Sequence, residues 1–216
     1  MALPDPIRDR VIKREAKMSG GEPRYTVLSK TGKIEIRQYD SRLIAQTTVS
    51  GVRESAINDG FSILAAFIFG KNVSTGKIAM TAPVTQTPRS EKIAMAPPVT
   101  QTPRGEKIAM AAPVTQRMMK DSWLVQFAMP DKYTFETLPR PFDDRITIVQ
   151  EEPRKMAVIR FSGIARTRKL KEKENELQEY LSVQKLKSKG EAVYAFYNSP
   201  FSLPPLRRNE VMFEIE

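Results

Sequence analysis

Met80, Met95 and Met110 stand 15 residues apart, each inside one of three near-identical segments, 77–86, 92–101 and 107–116. Thioethers at a fixed interval could offer ligands to iron, and the phenols of Tyr39, Tyr194 and Tyr197 could do the same for ferric iron. Arg53 and Lys71 bracket an apolar stretch, and Arg207-Arg208 precede the C-terminal strand. Such cations can pair with the carboxylates of an anionic ligand. Each group also has a plainer reading. Methionine is a soft gap-filler in strands, and strand tyrosines usually pack with a satisfied hydroxyl. Arg208 can form a salt bridge with Glu210.

What is missing narrows the chemistry further. The 216 residues contain no His and no Cys. That removes imidazole and thiolate ligands, disulfides, and every serine-histidine or cysteine-histidine mechanism. Catalysis would need paired carboxylates or an activated lysine, and no spacing singles out such a pair. The reading is therefore not an enzyme. The formal charge is +10, which favours anionic partners in general. Residues 77–120 carry a net +5 and residues 164–190 a net +4. Neither is a basic stripe interleaved with aromatics, which argues against nucleic acid. No apolar run is long enough to span a bilayer, and residues 1–21 lack the apolar core of a secretory signal. A cytoplasmic protein is the expectation.

The elements that must position these residues follow from periodicity. Residues 1–22 read as a flexible leader. A strand at 25–28 leads through a turn at 29–32 to 33–39, where Ile34 and Ile36 alternate with Glu35 and Arg37. A third strand covers 43–49. A helix is expected at 53–69, with Ile57, Phe61, Leu64 and Ile68 on one face. Ala65, Ala66, Phe67 and Phe69 make its far half apolar nearly all round, so it must be buried on several sides or contact a ligand. Gly60 inside it costs about 1 kcal/mol against Ala, unless close packing requires it. After the three copies come a strand at 123–130, a loop at 131–145 and a second set of elements. That set comprises strands beginning at Ile146, an amphipathic helix at 166–187 stopped by Gly190, and strands at 192–197 and 211–215.

The second set repeats the first. Residues 34–51 and 146–163 align without a gap at an offset of 112, with seven identities in eighteen positions, including Arg42/Arg154 and Gly51/Gly163. The expected fold is α+β: a distorted β-barrel with two helices, built from a pseudo-twofold duplicated strand-strand-helix-strand-strand unit. Residues 23–216 form one domain, with half one at 23–130 and half two at 146–216. One repeat copy suffices for the strand after the first helix. The first copy, 77–86, follows that helix directly and is expected in the sheet, leaving about 87–116 as insertion. Near-identical β-compatible copies also allow register exchange, so self-association through the repeats is an expectation.

With these elements in place, the sequence resembles the SOUL haem-binding protein family. The resemblance rests on Pro23-Arg24-Tyr25-Thr26-Val27-Leu28, Ile34-Glu35-Ile36-Arg37-Gln38-Tyr39, Gly70-Lys71-Asn72, Ile78-Ala79-Met80-Thr81-Ala82-Pro83-Val84, the 123–130 strand, Phe161-Ser162-Gly163 and Arg207-Arg208-Asn209-Glu210-Val211. The chain looks like a bacterial-type member with an expanded Met-Thr-Ala-Pro-Val repeat. The resemblance implies a distorted β-barrel with two helices and non-enzymatic binding of haem or a related tetrapyrrole, as carrier or buffer. Haem would be a ligand, not an obligate cofactor. The implied site is a groove along the first helix. Phe61, Leu64, Ala65, Phe67 and Ile68 are its apolar candidates, with Arg53 and Lys71 as the cations. Leu64 and Ile68 suit core packing better than ligand contact, and Phe61 and Phe67 suit both equally. The family's basic positions correspond to Asn58 and Ala66. An alternative is a small-molecule sensor or interaction module, because the doubled plan also looks similar to gyrase-inhibitor-like effector-binding domains. That reading needs a buried carboxylate in the cleft between halves, with Glu35, Glu210 and Glu214 as candidates.

Overall fold

A computed structural model describes residues 22–74, 105–198 and 202–216. Residues 1–21 of the leader and the first two repeat copies fall outside the described residues, while Glu22, the leader's last residue, pairs with Arg208 at 2.9 Å. Strands β1 (Tyr25–Thr31), β2 (Ile34–Tyr39) and β3 (Arg42–Ser50) precede helix α1 (Arg53–Ile68). A two-residue strand β4 (Asn72–Val73) follows, then the hairpin β5 (Val114–Met119) and β6 (Ser122–Ala128). The second half contains β7 (Arg140–Pro141), β8 (Thr147–Glu151), β9 (Arg154–Ser162), helix α2 (Thr167–Val183), β10 (Ser188–Phe196), a 3-10 turn at Pro204–Leu206 and β11 (Arg208–Ile215).

Nine strands form one sheet in the order β1-β2-β9-β11-β10-β5-β6-β3-β8, and β4 pairs separately with β7. The sheet curls strongly but stays open between β1 and β8, so the α+β distorted barrel is a half-barrel. From β2 to β8 the order reads the same in reverse when β2, β3, β5 and β6 are exchanged for β8, β9, β10 and β11. Strands β3 and β9 are both nine residues long. Each ends at a Ser-Gly whose glycine has a positive φ, 111° at Gly51 and 101° at Gly163. Only glycine adopts that backbone cheaply, so it ends the strand and turns the chain into the helix.

Both helices pack on one face of the sheet. Alternation along the strands sends Ile34, Ile36, Ala157, Ile159, Val211 and Phe213 toward Leu170, Leu177 and Leu181 of α2. In the other half, Leu43, Ala45, Val125 and Phe127 meet Leu64, Phe67 and Ile68 of α1. Full burial of each Val, Leu, Ile or Phe among them stabilises by about 1.5–3 kcal/mol. Helix α1 lies unusually close to β6. A Cβ built on Gly60 would sit 2.6 Å from Cγ2 of Val125, so the interior glycine is the condition for that approach.

Several boundaries differ from the sequence reading. Strand β1 continues through Ser29-Lys30-Thr31, across a bulge between Val27 and Ser29, and the turn is at Gly32-Lys33. Helix α2 stops at Val183, not at Gly190. Lys185 takes a φ of 55° there, and Leu186 N donates to Leu181 O at 2.9 Å, a closing bond that ends the helix early. Gly190 lies instead inside β10, between the bulge positions Lys189 and Val193.

The third repeat copy, read as insertion, supplies Val114, Thr115 and Gln116 to the sheet; the first copy, expected there, lies outside the described residues. The flanks of the third copy suit it to this place. Gly105 approaches the α1 terminus so closely that a Cβ would lie 1.6 Å from the carbonyl oxygen of Gly70. The equivalent positions before the other copies are Thr75 and Ser90. Beyond the copies, Met118 occupies β5 opposite Trp123, where the other two have Pro88 and Pro103. Proline suits an interior strand poorly.

Candidate functional site

Helix α1 ends in a closed network that fixes everything around its C-terminus. Lys71 N donates to Ala66 O at 2.9 Å, and the fully buried Asn72 donates from Nδ2 to Phe67 O (2.7 Å) and Glu106 O (2.8 Å). Asn72 also accepts from Glu106 N through Oδ1 at 2.9 Å, so a side-chain amide replaces a strand partner. Tyr133 adds a 2.6 Å bond from its hydroxyl to Glu106. Ile108 N donates to Ile68 O, and Phe142 N to Lys71 O. Three chain segments thereby converge on the helix end.

The seven residues singled out, six on α1 and Lys71 just beyond it, are not brought to one surface. Leu64, Phe67 and Ile68 are at most 1% exposed and face the sheet, and Ala65 is buried. Phe61 is half-buried, edge-on to Phe127 with ring centroids 5.4 Å apart. Arg53 is buried at the other end of the helix and is consumed locally: it donates to Thr167 Oγ1 at 3.1 Å and Ala165 O at 3.3 Å, and pairs with Glu54 at 2.7 Å. Lys71 is exposed. The outer face carries Glu54, Ser55, Asn58, Asp59 and Ser62. Exposed apolar groups occur instead at the C-terminal end, as Phe69, Phe142 and Met110. Met110 is thus an exposed loop residue and not a strand gap-filler. Met80 and Met95 lie outside the described residues.

On the opposite face of the sheet, a buried ionic network crosses from β2 to β11. Glu210 is fully buried and accepts two bonds from Arg37 (2.9 and 3.2 Å), two from Arg208 (3.1 and 3.0 Å) and one from Tyr197 (2.8 Å). Arg37 also donates to Glu35 (2.8 Å) and Tyr39 (3.0 Å), and lies 4.4 Å over the Tyr25 ring. Burial raises the Glu210 carboxyl, but Arg37 and Arg208 outweigh it and hold the group below its ordinary value. Burial pushes the Tyr39 phenol up to about 12 and Tyr197 well above its ordinary range. The tyrosines proposed as ligands are therefore protonated and engaged, Tyr39 with Arg37, Tyr197 with Glu210 and Tyr194 with Glu174. The salt bridge anticipated between Arg208 and Glu210 is present.

These contacts bear on the cleft reading, which needs a buried carboxylate: of the three candidates Glu210 alone is fully buried, and it is already engaged by two guanidiniums and a phenol. Glu35 is shared by Lys30 and Arg37, and Glu214 by Arg154 and Lys189. A cleft of about 520 Å³ lies elsewhere, beside the starts of β1 and β3 and the loop after β6, lined among others by Arg24, Asp40, Arg42, Tyr133 and Phe135. None of the seven residues singled out borders it. Among the described residues no group of His, Cys, Asp and Glu could hold a metal ion.

A two-helix α+β half-barrel with this doubled strand order defines the class of protein. The chain belongs to the SOUL heme-binding protein family, which it matches over residues 21–214. No curated protein matches it. Among solved structures it is similar to a hydrolase from Listeria innocua, at 12% identity and TM-score 0.53 over 87% of this chain and 94% of that one. It is also similar to the C-terminal domain of EcmrR, at 8% identity and TM-score 0.56 over 85% of this chain and 96% of that one. At such identities the likeness shows the fold alone. No helix among the described residues is long and apolar enough to cross a membrane.

Proposed function

We propose that this protein binds haem or a related tetrapyrrole without catalysing a reaction, as a carrier or buffer. Membership of a haem-binding family carries the reading. The site lies along the first helix, at its C-terminal end. Phe69, Phe142 and Met110 are there the apolar groups left in contact with water, and Lys71 is the cation beside them. Leu64, Phe67 and Ile68 support that surface from the core side and do not touch the ring. Binding rests on burial of ring area and on pairing of Lys71 with a carboxylate, because a chain without His or Cys supplies neither imidazole nor thiolate. We also infer that the two halves descend from one duplicated unit. The offset of 112 residues, the equal lengths of β3 and β9 and the paired Gly51 and Gly163 support this.

Titrating hemin into the folded protein tests the function. The expected result is a saturable Soret change with quenching of Trp123, the single tryptophan. A linear response indistinguishable from free hemin would remove the proposal.

A further inference from the structure

The sheet face turned away from both helices carries more cation than its carboxylates can serve. Arg42 of β3, Arg117 of β5 and Arg154 of β9 share this face with Glu151 and Glu214, as the alternation along each strand requires. Arg42 pairs with Glu151 at 2.7 Å, and Arg154 pairs with the same Glu151 at 2.5 Å and with Glu214 at 3.9 Å. Glu214 is further shared with Lys189 at 3.3 Å. Arg117 has no ion pair among the described residues. It flanks Val193 on one side and Leu124 on the other, so its neighbours in the sheet are apolar.

Two donors on this face are left over. The Nε atoms of Arg117 and Arg154 are both buried and neither has a hydrogen-bond acceptor. Arg154 lies within the fields of Arg42 and Arg117, and burial together with those two like charges holds its guanidinium below its ordinary value despite Glu151 and Glu214. A buried donor without an acceptor, beside like charge, costs stability. A group that removes both costs at once is an oxyanion, which accepts charge-assisted bonds from guanidinium forks and neutralises the excess. A cation or a neutral apolar ligand would do neither.

We propose that Arg117 and Arg154 form a binding site for the oxyanion of a small ligand, a carboxylate or a phosphate group. Arg42 tunes the site through the Glu151 that it shares with Arg154. Glu151 and Glu214 limit the net charge, so the site selects a compact anion rather than a polyanion. The site stands independently of haem binding, since α1 packs on the other face of the sheet.

Thermal unfolding at constant ionic strength tests this, with sodium phosphate or sodium malonate exchanged for sodium chloride. The native protein should show a saturable rise in Tm. Response to phosphate alone identifies a phosphoryl ligand, and response to both anions a general oxyanion site. Arg117→Met should weaken anion binding, read by calorimetry, at least about tenfold. Without added anion it should melt at or above the native temperature, because it removes a like charge that acts on Arg154. Lys120→Gln, an equal charge loss in the exposed β5–β6 turn, should leave binding intact. The proposal is overturned by a rise no larger than chloride gives, by full binding in Arg117→Met, by equal loss in Lys120→Gln, or by an Arg117→Met protein that fails to fold.

Discussion

Four strands of each half hold equivalent places in the sheet, and the two helices pack on them by opposite means. Helix α2 buries one stripe, Leu170, Leu177 and Leu181 with Glu174 between them, and surrounds it with charge, including the Lys169–Glu172 and Lys173–Glu176 pairs. Helix α1 has few charges and buries seven of its sixteen residues, and Gly60 lets it sink against Val125. One plan therefore tolerates both an ordinary amphipathic helix and one embedded in its surroundings. The difference lies in what surrounds each helix. Helix α2 lies on the sheet and meets α1 through Thr167, which accepts from Arg53, while α1 is also clasped at its C-terminus by β4, the third repeat copy and the segment around Phe142.

Substitutions at the seam between halves should have the largest effect. Glu210→Gln takes the shared, fully buried counter-charge from Arg37 and the half-buried Arg208, leaving them Glu35 and Glu22, and should cost about 3 kcal/mol in denaturant unfolding at neutral pH. The sign with pH follows from the lowered carboxyl. Its stabilisation is complete above the ordinary value of 4.5 and lost as pH falls through the folded value. The gap between native and variant should therefore close in acid. At the alkaline end, Tyr39 and Tyr197 stabilise the fold below their ordinary value of 10.0, and this is lost as pH rises through about 12 for Tyr39.

Next comes the contrast between the helices themselves. Leu64→Ala and Leu177→Ala both empty fully buried positions and should each cost about 2–5 kcal/mol. Equal losses would show that both halves belong to one cooperative unit. A biphasic melt in either variant would break the comparison.

The clasp on α1 is tested by two deletions of equal length. Removing 75–104 keeps Gly105, Glu106 and the third copy, and should leave a cooperatively melting domain. Removing 87–116 leaves the same number of residues but puts Thr75 at the Gly105 position, Gly76 at Glu106 and Thr81 at the buried Ala111. It should be less stable by about 2–3 kcal/mol, through overpacking and the lost Tyr133–Glu106 bond. Equal melting of the two would show that the copies are interchangeable. The smallest effect in this series should come from Gly60→Ala, about 1–3 kcal/mol of overpacking against Val125 partly offset by helix propensity.

These positions also mark how far the sequence can be read. Alternation at Ile34-Glu35-Ile36-Arg37 and the recurrence at 146–163 report strands and a doubled plan, because both are periodic and local. The in-sheet copy was illegible from the repeats, since three near-identical segments satisfy one slot equally. The discriminating residues are Gly105, Pro88 and Pro103 in their flanks. The Arg37–Glu210 pair joins residues 173 apart, and no spacing announces it. Periodicity identified the face of α1 that carries Phe61, Leu64 and Ile68. It could not tell whether sheet or ligand covers that face, because both demand apolar side chains.

Hemin titration of the native protein beside Phe69→Ser and Phe142→Ser, with Arg117→Met as a control on the other face, tests haem binding at the exposed end of α1. A saturable Soret change is expected in the native protein and in Arg117→Met, weakened about tenfold in the two phenylalanine variants by lost apolar contact. Native affinity in both phenylalanine variants would contradict the location, and no saturable change in the native protein would contradict the function.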